Sequence, residues 1–436
     1  MNDADVIVVG AGPAGSAAAL TAARAGARVL LLERGPFPGS KNMYGGVVYG
    51  RILDTLVPGW WDQVPVQRWV TRRATMLLTD TQSLTVDFRS EAWGKPPYNG
   101  CTTFRPDFDA WLAAQAVKAG AELICSTTVT GLLREADGRV VGVRTDRPDG
   151  ELRAAVVVAC DGVNSFLAKE AGLYHHGDAE NFTLGVKEVL ALPSEEIDKR
   201  FGLEADHGAD LEIIGCTRGI PGGGFLYTNR ASLAVGVVVS VSGLAKSKTR
   251  PEELIAELKA HPSIAPLVRG AELAEYSAHL IPEAGYRMIP GLNAPGLVVA
   301  GDAAALCLAA GLWLEGVNFA IGSGAVAGEL AAAASKLEGP TAESDRILAS
   351  YRSRLEATFV LADHQKLRGA PHLVLSDRMQ QRYPQMVCNL IESLFTVTNP
   401  VPKKGIGNLL RREAKRAGVK ARHLAADGLA AWRTFG

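Results

Sequence analysis

Cysteine is scarce and scattered: Cys101, Cys125, Cys160, Cys216, Cys307 and Cys388 include no CxxC pair. That spacing offers neither a zinc ribbon nor a locally ligated iron–sulfur cluster, and isolated thiols suit a reducing compartment. The histidines, His175-His176 among them, show no metal-ligand spacing, so no metal is expected. Charge of one sign is missing too, since 46 Lys and Arg face 46 Asp and Glu in 436 residues. A global attraction to nucleic acid or to an anionic membrane is therefore not indicated, while local patches stay open. Uncharged runs such as Ala231 to Ala245 fall short of the roughly 20 residues that a spanning helix needs. The greasy stretch from Gly296 is broken by Asp302 and Glu315. Neither an internal repeat nor a low-complexity tract occurs. Strand-like "DVIVVG" begins at Asp5, so the expectation is a soluble or peripheral chain without a signal or transit peptide.

Glycine, by contrast, is plentiful, and 47% of residues are hydrophobic, enough for a sizeable core in two domains. The stretch "DVIVVGAGPAGSAAALTAARAGARVLLLERG" reads as strand, tight turn, helix and strand. Gly10, Gly12 and Gly15 form GxGxxG directly after the first strand. The first glycine permits the turn, the second lets a pyrophosphate approach, and the third lets helix and strand pack closely. The helix N-terminus then presents free N–H groups to phosphate. Glu33 closes the second strand at the distance suited to the hydroxyls of an adenosine ribose, and its charge would repel a 2′-phosphate.

Two later signatures repeat the theme. "VVVACDGVNSFLAKEAG" ends a buried strand at Asp161-Gly162, with Asn164-Ser165 placed to cap the helix that follows. "GLVVAGDAAAL" ends another at Gly301-Asp302, where a carboxylate beside small residues can take ribityl hydroxyls. An ordinary turn reads the same way in each case taken alone. In order, the three resemble the FAD-binding set of the aromatic-hydroxylase-like flavoproteins. "TTFRPDFDAWLAAQA" adds Arg105 ahead of a helix, where that superfamily places an arginine near the flavin. The expected cofactor is FAD.

The expected fold class is α/β: a discontinuous Rossmann-like FAD-binding domain at 1–70, 101–181 and 280–335, interleaved with a β-rich substrate or quinone domain at 71–100 and 182–279. Strand alternation in "RATMLLTDTQSLTVDF" and the hairpin pattern of "GGGFLYTNRASLAVGVVVSV" support the second domain. "RPEELIAELKAHPSIAPLV" predicts a helix opening at Pro251 and ending near Pro262. Residues 336–436 are expected to form a helical region. Its tail, "KKGIGNLLRREAKRAGVKARH", holds eight Lys or Arg against one acid.

Longer blocks narrow the resemblance: "PGSKNMYGGVVYGRIL", "LGVKEVLALP", "GGGFLYTN", "HPSIAPLVRGAELAEYSAH", "IPEAGYRMIP" and "VAGDAAALCL". Together they look like the FixC-type subunit of the Fix electron-transfer complex, related to electron-transfer-flavoprotein:quinone oxidoreductase. The similarity runs over essentially the whole chain. It implies an FAD subunit that accepts electrons from a two-subunit electron-transfer flavoprotein and passes them to quinone. The assembly it implies oxidises NADH, bifurcates electrons and includes a small ferredoxin-like subunit. It places the protein in the cytoplasm, peripheral on the inner face of the cell membrane. The mitochondrial-type oxidoreductase carries a four-cysteine cluster near its C-terminus; only Cys388 lies beyond Cys307 here, so that cluster is not expected in this chain. The family often has glycine after GDAA, where this chain has Ala305.

On that resemblance Gly10, Gly12, Pro13, Ala14 and Gly15 hold the pyrophosphate, Glu33 the adenosine ribose, and Asp302 with Gly301 the ribityl chain or pyrophosphate. Arg105 sits near the same chain, and Asp161 with Gly162 supports the phosphate end. Arg34, Lys41, Gly45, Gly46 and Val129 complete the implied cofactor set. The helix expected from Gly316 aims the N–H groups of Gly316, Val317 and Asn318 at reduced flavin, with no side-chain acid or base called for. Leu306, Leu308, Leu312, Trp313 and Leu314 line a quinone pocket, enter lipid headgroups or pack the core. Trp60 and Trp61 suit either an interfacial anchor or the core. Tyr44, Tyr227 or Phe225 sits beside the flavin ring or merely near tight turns. The basic tail docks an acidic partner or anionic lipid, or is a solvated face. A flavin monooxygenase, a prenyl (geranylgeranyl-type) reductase and a non-catalytic flavin-holding assembly subunit remain alternatives.

Overall fold

The computed structural model describes residues 2–42, 45–174, 179–204, 206–283, 285–311, 314–337 and 341–436. The chain divides into two compact units of three segments each. Met1–Gln67, Lys95–Phe182 and Leu280–Lys366 form the first; Arg68–Gly94, Thr183–His279 and Leu367–Gly436 form the second. The helical region expected at 336–436 is therefore not a unit of its own. Its helices complete other cores: the buried Tyr351 donates its hydroxyl to Ser323 O at 3.0 Å in the first unit. Cys388 lies 3.8 Å from Leu77 O in the second.

In the first unit Ala4–Val9 lies between parallel partners. Val29–Leu32 and then Glu122–Ile124 extend one side, Glu151–Ala159 and then Leu297–Val299 the other. These strands are almost unbroken Val, Leu, Ile and Ala because both faces are covered. Register matters most here. Val9 pairs with Leu32 and with Ala159, and Ala159 pairs with Val299, so four strands end level. Gly10, Glu33, Cys160-Asp161 and Ala300-Gly301-Asp302 thus leave the sheet along one carboxyl edge. Strand order reverses between Ala4–Val9 and Glu151–Ala159, the place where open α/β sheets take ligands.

Two small-residue helices pack together behind that edge. Pro13–Arg24 is buried from Pro13 to Ala23, and a Cβ on Gly324 of Val317–Ser335 would stand 2.0 Å from Ala14 O. Gly328 approaches Ala18 O as closely, and Thr21 Oγ1 donates to Ala325 O at 3.0 Å. Among the described residues, Val317–Ser335 alone is long and apolar enough to cross a membrane, yet most of it is buried in the protein. Trp60 is also core: its ring fills the slot left by Gly50, and its Nε1 donates to Asp54 Oδ1 at 2.8 Å. The reading of Trp60 as an interfacial anchor is corrected accordingly, while Trp61 beside it is half-buried.

The second unit is a mixed sheet. Strand Val66–Leu78 pairs antiparallel with Ser83–Arg89 and parallel with His207–Ile214. Gly222–Thr228, Ser232–Ser240 and Phe182–Ala191 follow as antiparallel neighbours, matching the expected hairpin. One face carries Val186, Leu211, Ile213, Leu226, Val235 and Val237 against Leu254, Ile255 and Leu258 of helix Pro251–Ala260. That helix has Pro251 at its first turn and stops before Pro262, as its sequence predicts. The opposite face holds Arg73, Asp210, Glu212 and the stacked rings of Phe225 and Tyr227, 4.7 Å apart. Tyr44, Leu312, Trp313, His175 and His176 lie outside the described residues.

Candidate cofactor-binding site

The glycine turn is built by close approach. Gly10 has φ +97°, and a Cβ there would meet Cys160 O at 2.4 Å. A Cβ on Gly15 would meet Gly10 O at 1.8 Å, so helix Pro13–Arg24 can begin this near the strand only with hydrogen at that position. Gly12 caps the helix and Pro13 occupies its first turn, fixing φ where no N–H is needed. Gly12 faces outward: the nearest atom to a Cβ is Arg105 Nη2, 4.0 Å away. An N-terminus with no side chain over it and a guanidinium opposite is a fitting cradle for pyrophosphate.

Glu33 is buried, and both its oxygens are oriented by backbone. Oε2 accepts from Ala11 N–H at 3.0 Å and Oε1 from Gly35 N–H at 2.7 Å. A carboxylate has about four acceptor sites, so capacity remains for ribose hydroxyls. The strand-following segment runs alongside: Ser126 N–H donates to Gly35 O and Thr127 N–H to Glu33 O. Half-buried Val129 opens the strand that follows, whereas Arg34 and Lys41 are exposed. Ser40 Oγ beside Gly35 is buried without a partner, a polar atom available to a ligand. Half-buried Gly45 and Gly46 open the short strand Gly46–Val48, which pairs with Cys101–Thr103.

Arg105 is the first residue of helix Arg105–Lys118 and is clamped by its own helix. Its Nε and Nη2 each donate to Asp109 at 2.8 Å, and Asn42 Nδ2 donates to the same carboxylate at 3.1 Å. Burial alone would lower the guanidinium's pKa, but Asp109, and more weakly Asp302, outweigh it and hold the charge more firmly than usual. Asp109 and Asn42 are the residues that the sequence reading missed. The i,i+4 spacing of Arg105 and Asp109 was the available signal.

Asp161 corrects another expectation. Ser165 stands at the N-cap of helix Phe166–Glu170, but with φ +50° and no capping bond. Its hydroxyl turns instead to Gly162 O and Ala303 O. Asp161 Oδ2 takes the capping role, accepting from Leu167 N–H at 3.0 Å. Its Oδ1 is buried without a partner. Burial raises its pKa against the opposing backbone bonds. That orphaned oxygen, the unoccupied acceptor capacity of Glu33 and the bare Gly12 N-terminus together fit the ADP half of FAD.

Asp302 lies in the short turn Gly301–Ala304, and a Cβ on Gly301 would crowd Ala14 Cβ at 2.8 Å. The residue after it, Ala305, has φ +55°, a left-handed conformation that disfavours a side chain. Gly316 caps Val317–Ser335, whose geometry leaves its first N–H groups without intrahelical partners. Gly316, Val317 and Asn318 therefore occupy the expected helix start, with the Asn318 side-chain amide bonded to Glu315. Leu306 and Leu308 are buried, and Leu314 is exposed. Cys307 sits near Gly316, its thiol pushed well up by burial and then by Asp302 and Glu283.

Comparison with known proteins supports FAD as the cofactor. Residues 5–210 match the FAD dependent oxidoreductase model, and residues 370–436 match the ETF-QO/FixC family C-terminal domain. A probable electron transfer flavoprotein-quinone oxidoreductase of Escherichia coli, YdiS, is 38% identical, covering 95% of each chain. Protein FixC of Bradyrhizobium diazoefficiens is 40% identical over 90% of each. Among solved structures, a geranylgeranyl bacteriochlorophyll reductase-like protein from Thermoplasma acidophilum superposes with a TM-score of 0.70 at 21% identity. It covers 95% of this chain and 99% of its own. The flavin-dependent brominase Bmp2 gives 0.63 at 17%, covering 98% of both. These two likenesses concern the fold alone.

Proposed function

The chain belongs to the ETF-QO/FixC family of FAD-dependent oxidoreductases, and on that premise we propose that it takes electrons from a two-subunit electron-transfer flavoprotein and passes them to a quinone. The observation that carries the reading is the full-length match, which includes the family's own C-terminal domain at 370–436. We infer further that a small ferredoxin-like iron–sulfur subunit accompanies the assembly, and that it bifurcates electrons drawn from NADH.

FAD, when bound, supplies the redox chemistry, so the chain's residues have to bind, orient and tune it. Gly10, Gly12 and the N–H groups opening helix Pro13–Arg24 would receive the pyrophosphate. Glu33, already oriented by Ala11 and Gly35, would accept from the adenosine ribose. Arg105, held by Asp109, whose carboxylate also accepts from Asn42, would offer a fixed positive charge to the same phosphates. Asp302 would take ribityl hydroxyls, and the start of Val317–Ser335 would place positive helix-dipole potential near its own N–H groups.

The test is anaerobic mixing of the purified flavoprotein with its reduced electron-transfer flavoprotein and a water-soluble quinone analogue. Flavin reoxidation at a rate that rises with quinone concentration is the expected result. A flavin that the partner reduces but no quinone reoxidises would overturn the quinone reading. NADPH-driven, substrate-stimulated oxygen uptake would replace it with monooxygenation.

A further inference from the structure

One buried histidine of the first unit has no task in nucleotide binding. His364 lies on helix Phe359–Lys366, fully enclosed, its ring edge-on to Phe319 with 4.7 Å between centroids. Phe319 belongs to the first turn of Val317–Ser335, the helix whose opening N–H groups are expected beside reduced flavin. The two helices meet closely: a Cβ on Gly322 would stand 2.9 Å from the side chains of both Phe359 and Val360. His364 is thus fixed behind that helix start. It also lies by the backbone of Cys307, on the segment leading from Asp302 to Gly316.

The two ring nitrogens are unequal. Nδ1 lies 2.6 Å from Val360 O, and a carbonyl only accepts, so Nδ1 carries the hydrogen of the neutral ring. Nε2 is then a bare lone pair, buried without a hydrogen-bond partner. An orphaned polar atom in a packed interior needs a cause. Burial lowers the pKa of the ring, while the Val360 carbonyl, the Cys307 backbone and the charge of Asp363 pull the other way. The surroundings therefore already suit an imidazolium, and desolvation alone withholds the second proton. The other titratable groups on the elements packed here are neutral or committed. Burial pushes the Cys307 thiol and the Tyr351 hydroxyl well up. Glu329 and Arg354 pair at 3.0 Å, Arg352 donates to Pro290 O, and Arg287, Glu356 and Lys366 are exposed. None of these changes charge when flavin is reduced.

We propose that His364 is a redox-linked proton site: when bound flavin gains negative charge on reduction, Nε2 takes up a proton from water, and reoxidation releases it. The electrons come from the flavin's own reductant and the proton from solvent. Imidazole plus a proton gives imidazolium, with the new N–H directed at the Cys307 backbone, and no bond to the flavin forms. In a low-dielectric interior a negative charge gained at the helix start is felt by the ring behind it. The positive ring then favours reduced flavin, and reduced flavin favours the positive ring, by the same amount. Histidine suits the role, because its ordinary pKa lies close enough to neutrality for one nearby charge to move it across. The inference depends on bound FAD and not on the electron acceptor, so it stands or falls apart from the quinone reading.

Anaerobic redox titration of the FAD-loaded, full-length protein over a series of pH values, beside His364→Asn, tests it. Asparagine keeps a donor for Val360 O and cannot take the second proton. The wild-type potential should lie above that of the variant at acid pH, fall more steeply, and meet it at alkaline pH. One extra proton per reduction changes the equilibrium tenfold per pH unit, about 30 mV for a two-electron couple. A second reading needs no substitution. In histidine-labelled wild type, ring-nitrogen NMR should show one of the eight histidines pass from neutral to imidazolium on dithionite reduction. It should be the ring whose Nδ1 hydrogen exchanges slowly with water. Potentials of wild type and variant that run parallel at every pH would mean that His364 only packs, and would overturn the proposal. Histidine signals indifferent to reduction overturn it as well, even where the variant fails to fold.

Discussion

Asp109 never has to touch a cofactor to matter, because Arg105 has two of its donors fixed by that one buried carboxylate. Asp109→Ala frees the guanidinium to swing and leaves Asn42 without its acceptor. The expected result is FAD bound about tenfold more weakly and about 1–3 kcal/mol of lost stability. Equilibrium dialysis and denaturant unfolding read these two separately. Unaltered FAD affinity in a folded Asp109→Ala would show that Arg105 needs no clamp. Glu212 in the second unit carries a different signal. Burial, then the charge of Asp210, pushes its carboxyl up to about 8, against the pull of Arg73. An acid raised in the folded state keeps a proton that the unfolded chain has released, so stability falls with rising pH between roughly 4 and 8. Glu212→Gln stays neutral throughout. Its melting temperature should equal that of wild type near pH 4 and exceed it increasingly as the pH rises towards 8. Parallel melting curves across that range would mean that the carboxyl titrates normally. Nothing in the sequence marks Glu212, since its shift comes first from burial, which only the folded sheet creates, and then from Asp210 two residues back on the same strand.

At the scale of elements, the first strand, turn and helix were legible because their causes are local: glycines at fixed offsets, a proline at the first turn and an apolar run before them. Helix Pro251–Ala260 and the hairpin of Gly222–Thr228 with Ser232–Ser240 were legible for the same reason. What escaped was decided by distant partners. Ser165 looked like a cap, but Ala303 O lies within reach of its hydroxyl and Asp161 holds the helix instead. Trp60 looked suited to an interface, but Gly50 leaves an indole-sized slot for it. The level ends of four parallel strands are equally invisible until register is known. The packing of Pro13–Arg24 on Val317–Ser335 makes a further prediction. At Gly324 a methyl would meet Ala14 O at 2.0 Å and the backbone beneath it, so the helices themselves must part. Gly324→Ala should cost about 1–3 kcal/mol despite alanine's better helix propensity, and should loosen FAD because the starts of both helices shift. Gly428, with nothing within 4 Å, is the control: Gly428→Ala should gain roughly 0.5–1 kcal/mol. Equal gains at both positions would refute the close approach.

The whole molecule is two units threaded through one another, with the chain passing between them at residues 67–68, 94–95, 182–183, 279–280 and 366–367. Strand alternation and a hairpin pattern are what the sequence offers for a β-rich domain inserted into the first. The crossing at Lys366 lies within a run of helices, where packing partners and not local sequence decide the unit. Interleaving has an energetic consequence, since neither unit is a contiguous piece that can melt while the other keeps its connections. The nucleotide-binding residues Gly10, Glu33, Arg105 and Asp302 all belong to the first unit, yet the stabilisation FAD supplies should be felt by the entire chain. Free FAD at about a hundred times its dissociation constant should add roughly 2.7 kcal/mol to unfolding. Calorimetry of the FAD-depleted protein should therefore show one transition that moves upward as a whole when FAD is restored. Two transitions, of which FAD moves only one, would show instead that the units unfold independently in spite of the shared thread.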